Sequence, residues 1–325
     1  MTPLLKVENL VTEFGGGKGR PGLPAVNDVS FSVERGKVLG LVGESGSGKS
    51  VTGFSIMRLL EKPGKIASGR VFFDGTDIST CSDEEMRRLR GKRIAMVFQD
   101  PMTTLNPVLT IGTQMVEAVV AHDKVSKDVA RQRSRDLLGM VGIPSPEERL
   151  ASYPHQFSGG MRQRVAIAIA LLHKPDLIIA DEPTTALDVT IQSQIISEFQ
   201  RLTEEANTAV IWITHDLAIV SRLADDIAVM YAGRLVETGP VAKVLREPRH
   251  PYTSGLIASV PSQNRRGEPL RQIPGMTPAI SRLPKGCSFR TRCDRATEGC
   301  LSMPPLLPEE DRYFRCIHPV LKETA

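Results

Sequence analysis

Gly43-Glu44-Ser45-Gly46-Ser47-Gly48-Lys49-Ser50 spells G-x-x-x-x-G-K-[ST], and the residues just before it, Val38-Leu39-Gly40-Leu41-Val42, form an apolar run of strand length. A buried strand that ends in such a loop and continues into a helix is a phosphate cradle. Gly43, Ser45, Gly46, Ser47 and Gly48 let successive N–H groups curl around a β-phosphate, Lys49 reaches the β/γ oxygens, and Ser50 offers its hydroxyl to Mg²⁺. The helix that follows turns its positive end to the anion. The motif therefore implies an α/β chain that binds a nucleoside triphosphate. A glycine turn that binds nothing is the bland alternative, and the strand in front of the loop removes most of its weight.

A second chemical signal lies downstream, where Leu177-Ile178-Ile179-Ala180-Asp181-Glu182 is an apolar run ending in two acids. Parallel strands deliver carboxylates in this way to the C-terminal edge of an α/β sheet, where ligands bind. Asp181 is placed to hold Mg²⁺ through water, and Glu182, one residue on, to deprotonate or orient an attacking water. Without the phosphate loop a solvated acidic turn would be an equal alternative.

The type of NTPase is narrowed by Phe157-Ser158-Gly159-Gly160-Met161-Arg162-Gln163-Arg164, which opens an apolar-periodic stretch over residues 165–173. Serine and two glycines at a helix start make a second anion-binding end. One sheet does not bring that end onto its own loop's phosphates, so its natural use is the nucleotide of a second subunit. At this point the chain resembles the ATP-binding-cassette (ABC) ATPases. The segment is similar to their L-S-G-G-Q signature, with Phe157 and Met161 in place of the outer Leu and Gln while Ser158, Gly159 and Gly160 are kept.

Further elements follow in family order. Phe98-Gln99-Asp100 resembles the Q-loop, whose Gln99 would sense Mg²⁺ and the γ-phosphate, and Ala186-Leu187-Asp188 resembles the D-loop of the dimer seam. Ile213-Thr214-His215-Asp216, after Val210-Ile211-Trp212, resembles the switch-histidine strand end. A lone histidine is more often an ordinary surface residue, but this one follows a second buried strand, and the resemblance gives His215 the γ-phosphate. Phe14 is expected to stack on adenine, with core packing as its even alternative. The implied fold is a P-loop NTPase with a RecA-like core, an antiparallel β subdomain and a helical subdomain. One phosphate loop and one signature argue for a dimer formed in trans.

Composition agrees. The 325 residues suffice for one large α/β domain plus an extension, no apolar run nears the roughly 20 residues of a membrane span, and residues 1–6 lack a signal peptide's basic and apolar regions. A soluble or peripheral chain at the cytoplasmic face of the cell membrane is expected. The net charge of +4, with no basic block, gives nucleic-acid binding no support. The chain is expected to divide into residues 1–240, the nucleotide-binding domain with a helical subdomain at about 101–157, and 241–325, a loop-rich extension. Within the insert, Ile111, Val116, Val119 and Val120 suit one amphipathic helix and residues 127–138 another. In the family this subdomain and the Q-loop receive a coupling helix from the transmembrane subunit.

Past residue 240 prolines dominate, from Pro251 through Pro261, Pro269, Pro274, Pro278 and Pro284 to Pro304, Pro305 and Pro308. Pro251-Tyr252-Thr253 with Leu256, and Asp100-Pro101-Met102-Thr103-Thr104-Leu105-Asn106-Pro107, resemble the oligopeptide/dipeptide importer subfamily. The resemblance implies the ATP-hydrolysing subunit of an importer. Its partners would be a second ABC subunit, similar but distinct or identical, two permeases and an extracytoplasmic solute-binding protein. Related importers carry nickel or other small solutes, so the cargo stays open. A soluble nucleic-acid-associated ABC ATPase is the rival from another class, and the coiled coils or second cassette it usually carries are not visible.

Four of the five cysteines, Cys287, Cys293, Cys300 and Cys316, gather in the tail, while Cys81 stands apart. In a cytosolic chain clustered thiols suggest metal before disulfides. The spacing C-x5-C-x6-C-x15-C matches neither a zinc knuckle nor a ferredoxin run, so zinc with His318 and a cluster both stand open on spacing. Resemblance to importer ATPases with a G-C-x-F-x-x-R-C pattern, here residues 286–293, implies a [4Fe–4S] cluster.

Overall fold

The computed structural model describes residues 2–16, 22–185, 187–260 and 271–321. Its strands are β1 Leu5–Phe14, β2 Leu23–Val33, β3 Val38–Val42, β4 Lys65–Phe73, β5 Thr76–Asp77, β6 Ile94–Val97, β7 Leu177–Asp181, β8 Ala209–Thr214, β9 Asp226–Tyr231, β10 Arg234–Pro240, β11 Leu307–Glu309 and β12 Arg312–Phe314. Two compact units emerge, one of Met1–Val33, Val38–Ser79 and Trp212–Ala325, the other of Glu34–Lys37 and Thr80–Ile211.

The first unit holds an antiparallel sheet in the order β2-β1-β4-β5. Leu5 and Val7 of β1 face inward and Lys6 outward, the alternation of a half-buried strand. That alternation slips at Asn9, whose φ is 46°, and Leu10 and Thr12 take over the inward face. The pairing with both neighbours shifts there too, as a bulge requires. Thr12 then meets Ser55 of the helix Lys49–Met57 through their hydroxyls at 2.7 Å, which ties the sheet to the helix behind the phosphate loop.

A second set of strands in this unit runs β11-β12-β10-β9-β3, followed by the end of β8. β3 and β9 are parallel, with Leu39, Leu41, Val42, Ile227, Ala228 and Val229 all buried, so both strands read as continuous apolar runs. In the tail, β12 pairs with β10 through Glu237 and Phe314, and β11 pairs with β12. These short strands carry no periodic signal, and beyond the helices Val241–Arg246 and Pro251–Ala258 the described tail is mostly turns and irregular chain, as its prolines imply. Tyr252 and Phe289 of the tail enter the apolar core, the Phe289 ring centroid lying 5.2 Å from that of Tyr231 and 5.4 Å from that of Tyr252. Elsewhere arginine replaces apolar packing. Arg312, 1% exposed, donates to Glu309 and to the Glu247 carbonyl, and Arg315 donates to the Leu235 carbonyl and Asp28. A planar guanidinium can satisfy several acceptors at once, so a tail poor in apolar residues is still held.

In the second unit β6 and β7 are parallel, with the start of β8 on the far side of β7. The helices expected in the insert are present as Ile111–Val120 and Lys127–Met140, each started by a hydroxyl cap, Thr110 accepting from the Thr113 N–H and Ser126 from the Val129 N–H. Ile111, Met115, Val119, Ala130 and Leu138 are fully buried, whereas of the expected stripe Val116 is half-buried and Val120 exposed, so its core side centres on Ile111 and Val119 with Met115 added.

Candidate functional site

The sequence motifs fall in both units. In the first unit the loop of residues 43–50 leaves β3 and enters the helix Lys49–Met57. Gly43 has φ 153° and Gly48 φ 101°, and a Cβ would lie 2.2 Å from the Met230 carbonyl oxygen in one and 2.5 Å from that of Ala25 in the other. Both the backbone twist and the close approach demand glycine. Lys49, only 5% exposed, donates from Nζ to the carbonyls of Gly43 at 2.7 Å and Glu44 at 3.0 Å, arching its ammonium over the loop. Ser45 and Gly46 are exposed at the tip, and Ser50 is half-buried in the first helical turn. The Ser47 hydroxyl is buried with no partner among the described residues. An orphaned buried hydroxyl in this glycine-rich loop fits a site whose last partner is an anion.

His215, in the same unit, is exposed one residue beyond β8. Asp216 behind it accepts from the Ala218 N–H and caps the helix Leu217–Leu223, so the histidine occupies a tight strand-to-helix turn. Phe14 closes β1 half-buried, and a Cβ on Gly64 would lie 2.7 Å from its ring. Its ring therefore packs on the Gly64 backbone.

In the second unit β7 delivers Asp181, 3% exposed, at its last position, and Glu182 follows with φ 43°. A glutamate in the left-handed region is strained by roughly 1–3 kcal/mol and persists only where its surroundings hold it. Here Thr185 Oγ1 donates to its Oε2 at 2.9 Å and Gln99 Nε2 to the same oxygen at 3.4 Å. Gln99 and Glu182, 83 residues apart, are thus brought together, whereas the sequence offered no sign of the Thr185 contact. Asp100 beside Gln99 caps the short helix Pro101–Thr104.

Ser158 is the N-cap of the helix Gly159–Leu171, its hydroxyl accepting from the Met161 N–H at 3.3 Å. Ser158 and Gly159 are exposed, and nothing lies within 4 Å of where a Cβ on Gly159 would be. Gly160 instead faces Ile191 of the helix Val189–Glu205, which Asp188 caps. Ala186 of the expected D-loop lies outside the described residues.

The tail cysteines converge. Cys287, Cys293, Cys300 and Cys316 line one small cavity in the first unit, together with His250, Phe289 and His318. Burial pushes the Cys287 and Cys293 thiols up, and that of Cys316 to about 11. A bound cation would reverse this, since a coordinating thiol is deprotonated outright. Among the described residues no three His, Cys, Asp or Glu side chains are placed to hold one metal ion. His318 Nε2 lies 2.7 Å from the Thr297 hydroxyl. Likewise among the described residues, no helix is long and apolar enough to cross a membrane.

Family models match at two places, an ABC transporter model over residues 26–185 and an oligopeptide/dipeptide transporter C-terminal region model over 236–300. The chain is 47% identical to the oligopeptide transport ATP-binding protein OppD of Bacillus subtilis (strain 168), covering 97% of this chain and 88% of that protein. It is also 47% identical to the dipeptide transport ATP-binding protein DppD of Escherichia coli (strain K12), over 98% of this chain and 97% of that one. Among solved structures, a dimeric post-hydrolysis ATP-binding cassette bound to ADP and Pi superposes with a TM-score of 0.65 at 28% identity, covering 73% of this chain and 98% of its own.

Proposed function

Because this chain belongs to the ABC transporter family and carries the oligopeptide/dipeptide transporter C-terminal region, we propose that it is the ATP-hydrolysing subunit of a di- or oligopeptide importer. An overall identity of 47% in alignments that span 97–98% of the chain, cassette and tail included, is the observation that carries this. The chain acts at the cytoplasmic face of the membrane, as a peripheral subunit on two permeases fed by a solute-binding protein. Residues 1–240 form the cassette and 241–325 the importer extension. Gly43, Ser45, Gly46, Ser47, Gly48, Lys49 and Ser50 hold the phosphates and Mg²⁺, joined by Gln99 and Asp181, while His215 takes the γ-phosphate and Phe14 the adenine. Glu182 is the base. Ser158, Gly159 and Gly160 complete the site of a second ABC subunit, similar to this chain but distinct from it.

Reconstitution with the permeases in liposomes tests this. Peptide uptake driven by ATP is expected, and absence of both uptake and ATP binding overturns the proposal. Lys49→Ala removes a charge-assisted contact worth about 1.5–3 kcal/mol, so ATP binding is expected to weaken roughly 10- to 150-fold.

The four tail thiols are proposed as ligands of a [4Fe–4S] cluster, supported by their shared cavity and by a ligand set of four cysteines. A cluster takes one thiolate at each iron, so it calls for four cysteines around one space, which is what this cavity supplies. When bound, the cluster crosslinks a tail whose own apolar content is small. Anaerobic purification is expected to give a brown protein with about four irons per chain, and a colourless protein with stoichiometric zinc overturns the cluster.

A further inference from the structure

Glu44, the second residue of the phosphate loop, is held almost entirely by the end of the chain. Its carboxylate receives a two-pronged pair from Arg292, Nη1 to Oε2 at 2.7 Å and Nη2 to Oε1 at 3.0 Å, across 248 residues of sequence. The Thr277 hydroxyl donates to the same carboxylate, and the Glu44 N–H donates to the Tyr252 hydroxyl at 2.8 Å. Arg292 is itself fixed, with Nε on the Pro274 carbonyl at 2.7 Å, Nη2 on that of Gly275 at 3.3 Å, and its side chain 5% exposed. The guanidinium also lies 5.8 Å from the ring centroids of both Tyr231 and Phe289, within cation–π range. Meanwhile the Glu44 carbonyl accepts from Lys49 Nζ and from the Ser47 N–H, so the residue gripped by the tail is also a hub of the loop's own curl.

A carboxylate in a loop that receives a triphosphate is an electrostatic liability, because it repels the ligand unless a cation neutralises it. Burial pushes Glu44 towards protonation, yet the hydrogen bonds from Arg292 and Thr277 and the charge of Arg292 outweigh this and hold it ionised below the usual carboxylate range. The pair is thus a true ion pair, and both its geometry and its neutrality depend on the tail.

We propose that Arg292 is a positioning residue for the phosphate loop. By clamping and neutralising Glu44 it sets the loop for nucleotide, so that the cysteine segment on which it stands, between Cys287 and Cys293, governs ATP affinity from the far end of the chain. This rests on residues 43–50 being the ATP site. A salt bridge that merely docks the tail would look similar in the folded chain but behave differently on mutation.

The test is a double-mutant cycle on the full chain, reading Kd for ATP with Mg²⁺ by calorimetry, KM and kcat by hydrolysis, and folding by thermal melting. Removing one partner of a largely buried pair strands the other charge, so Arg292→Ala is expected to raise Kd and KM about tenfold or more with kcat changed less. Glu44→Gln alone is expected to cost under about threefold, and Glu44→Gln added to Arg292→Ala to restore affinity to within about threefold of the unaltered chain, because the stranded charge is gone. A simple docking role predicts no such rescue. If Arg292→Ala does not fold, Arg292→Gln with and without Glu44→Gln carries the same comparison, since a neutral amide still offers a donor to the tail carbonyls but removes the charge that neutralises Glu44. Unchanged affinity in the arginine variant, or a double variant as weak as the single one, overturns the proposal while leaving the ATPase assignment standing. An unaltered chain that binds no ATP overturns both.

Discussion

Replacing Glu182 by Gln is expected to slow ATP turnover by roughly 10²–10⁴ while ATP affinity stays near its original value, the pattern for loss of a positioned base. The amide keeps the shape of the side chain and still offers an oxygen to Thr185 Oγ1 and Gln99 Nε2, which hold the glutamate at 2.9 and 3.4 Å. What it cannot do is take a proton from water. The strain at this residue, φ 43°, comes from the backbone and is the same for both side chains, so folding should be little disturbed. Nucleotide-loaded dimers should accumulate, visible as a shift in size-exclusion chromatography with ATP. Single-turnover hydrolysis together with a direct Kd separates chemistry from binding, and near-normal turnover would remove Glu182 from its role.

What could be read in advance was whatever is local in sequence. The phosphate loop, the acids after β7 and the glycines at the start of Gly159–Leu171 are short patterns whose chemistry follows from spacing, and each appears on the predicted strand end or helix start. β3, β7 and β8 declare themselves as unbroken apolar runs. Three features were illegible for physical reasons. The bulge at Asn9 breaks the alternation of β1, so no single period-2 pattern runs through to Phe14. β11 and β12 are three residues each, too short for any period to show. The arginines 292, 312 and 315 resemble surface charge in a polar tail, and only the fold reveals them as buried side chains paired with the partly exposed Glu44, Glu309 and Asp28. Long-range ion pairs leave no trace in one sequence, because neither partner's neighbourhood indicates the other.

Ser158→Arg is expected to abolish hydrolysis in the partner's site while leaving this chain's own ATP binding intact. Ser158 and Gly159 are exposed at the start of a 13-residue helix, with open space beside Gly159, so an arginine there projects where a second subunit's nucleotide would approach. Loss of the hydroxyl cap on the Met161 N–H costs about 0.5–2 kcal/mol of stability, which Ser158→Ala measures by itself. Removal of donors aimed at developing charge typically costs 10²–10³ in rate, so an at least hundredfold fall is expected in dimers where only one chain is altered. Mixing altered chains with intact partner subunits, then following ATPase activity against mixing ratio, distinguishes the outcomes. If Ser158 serves the opposite nucleotide, activity falls in proportion to mixed dimers while equilibrium binding of ATP to the altered chain is unchanged. If instead the altered chain loses its own ATP binding, or a strictly monomeric preparation hydrolyses ATP at the full rate, no composite site is needed and the dimer has no part in the chemistry.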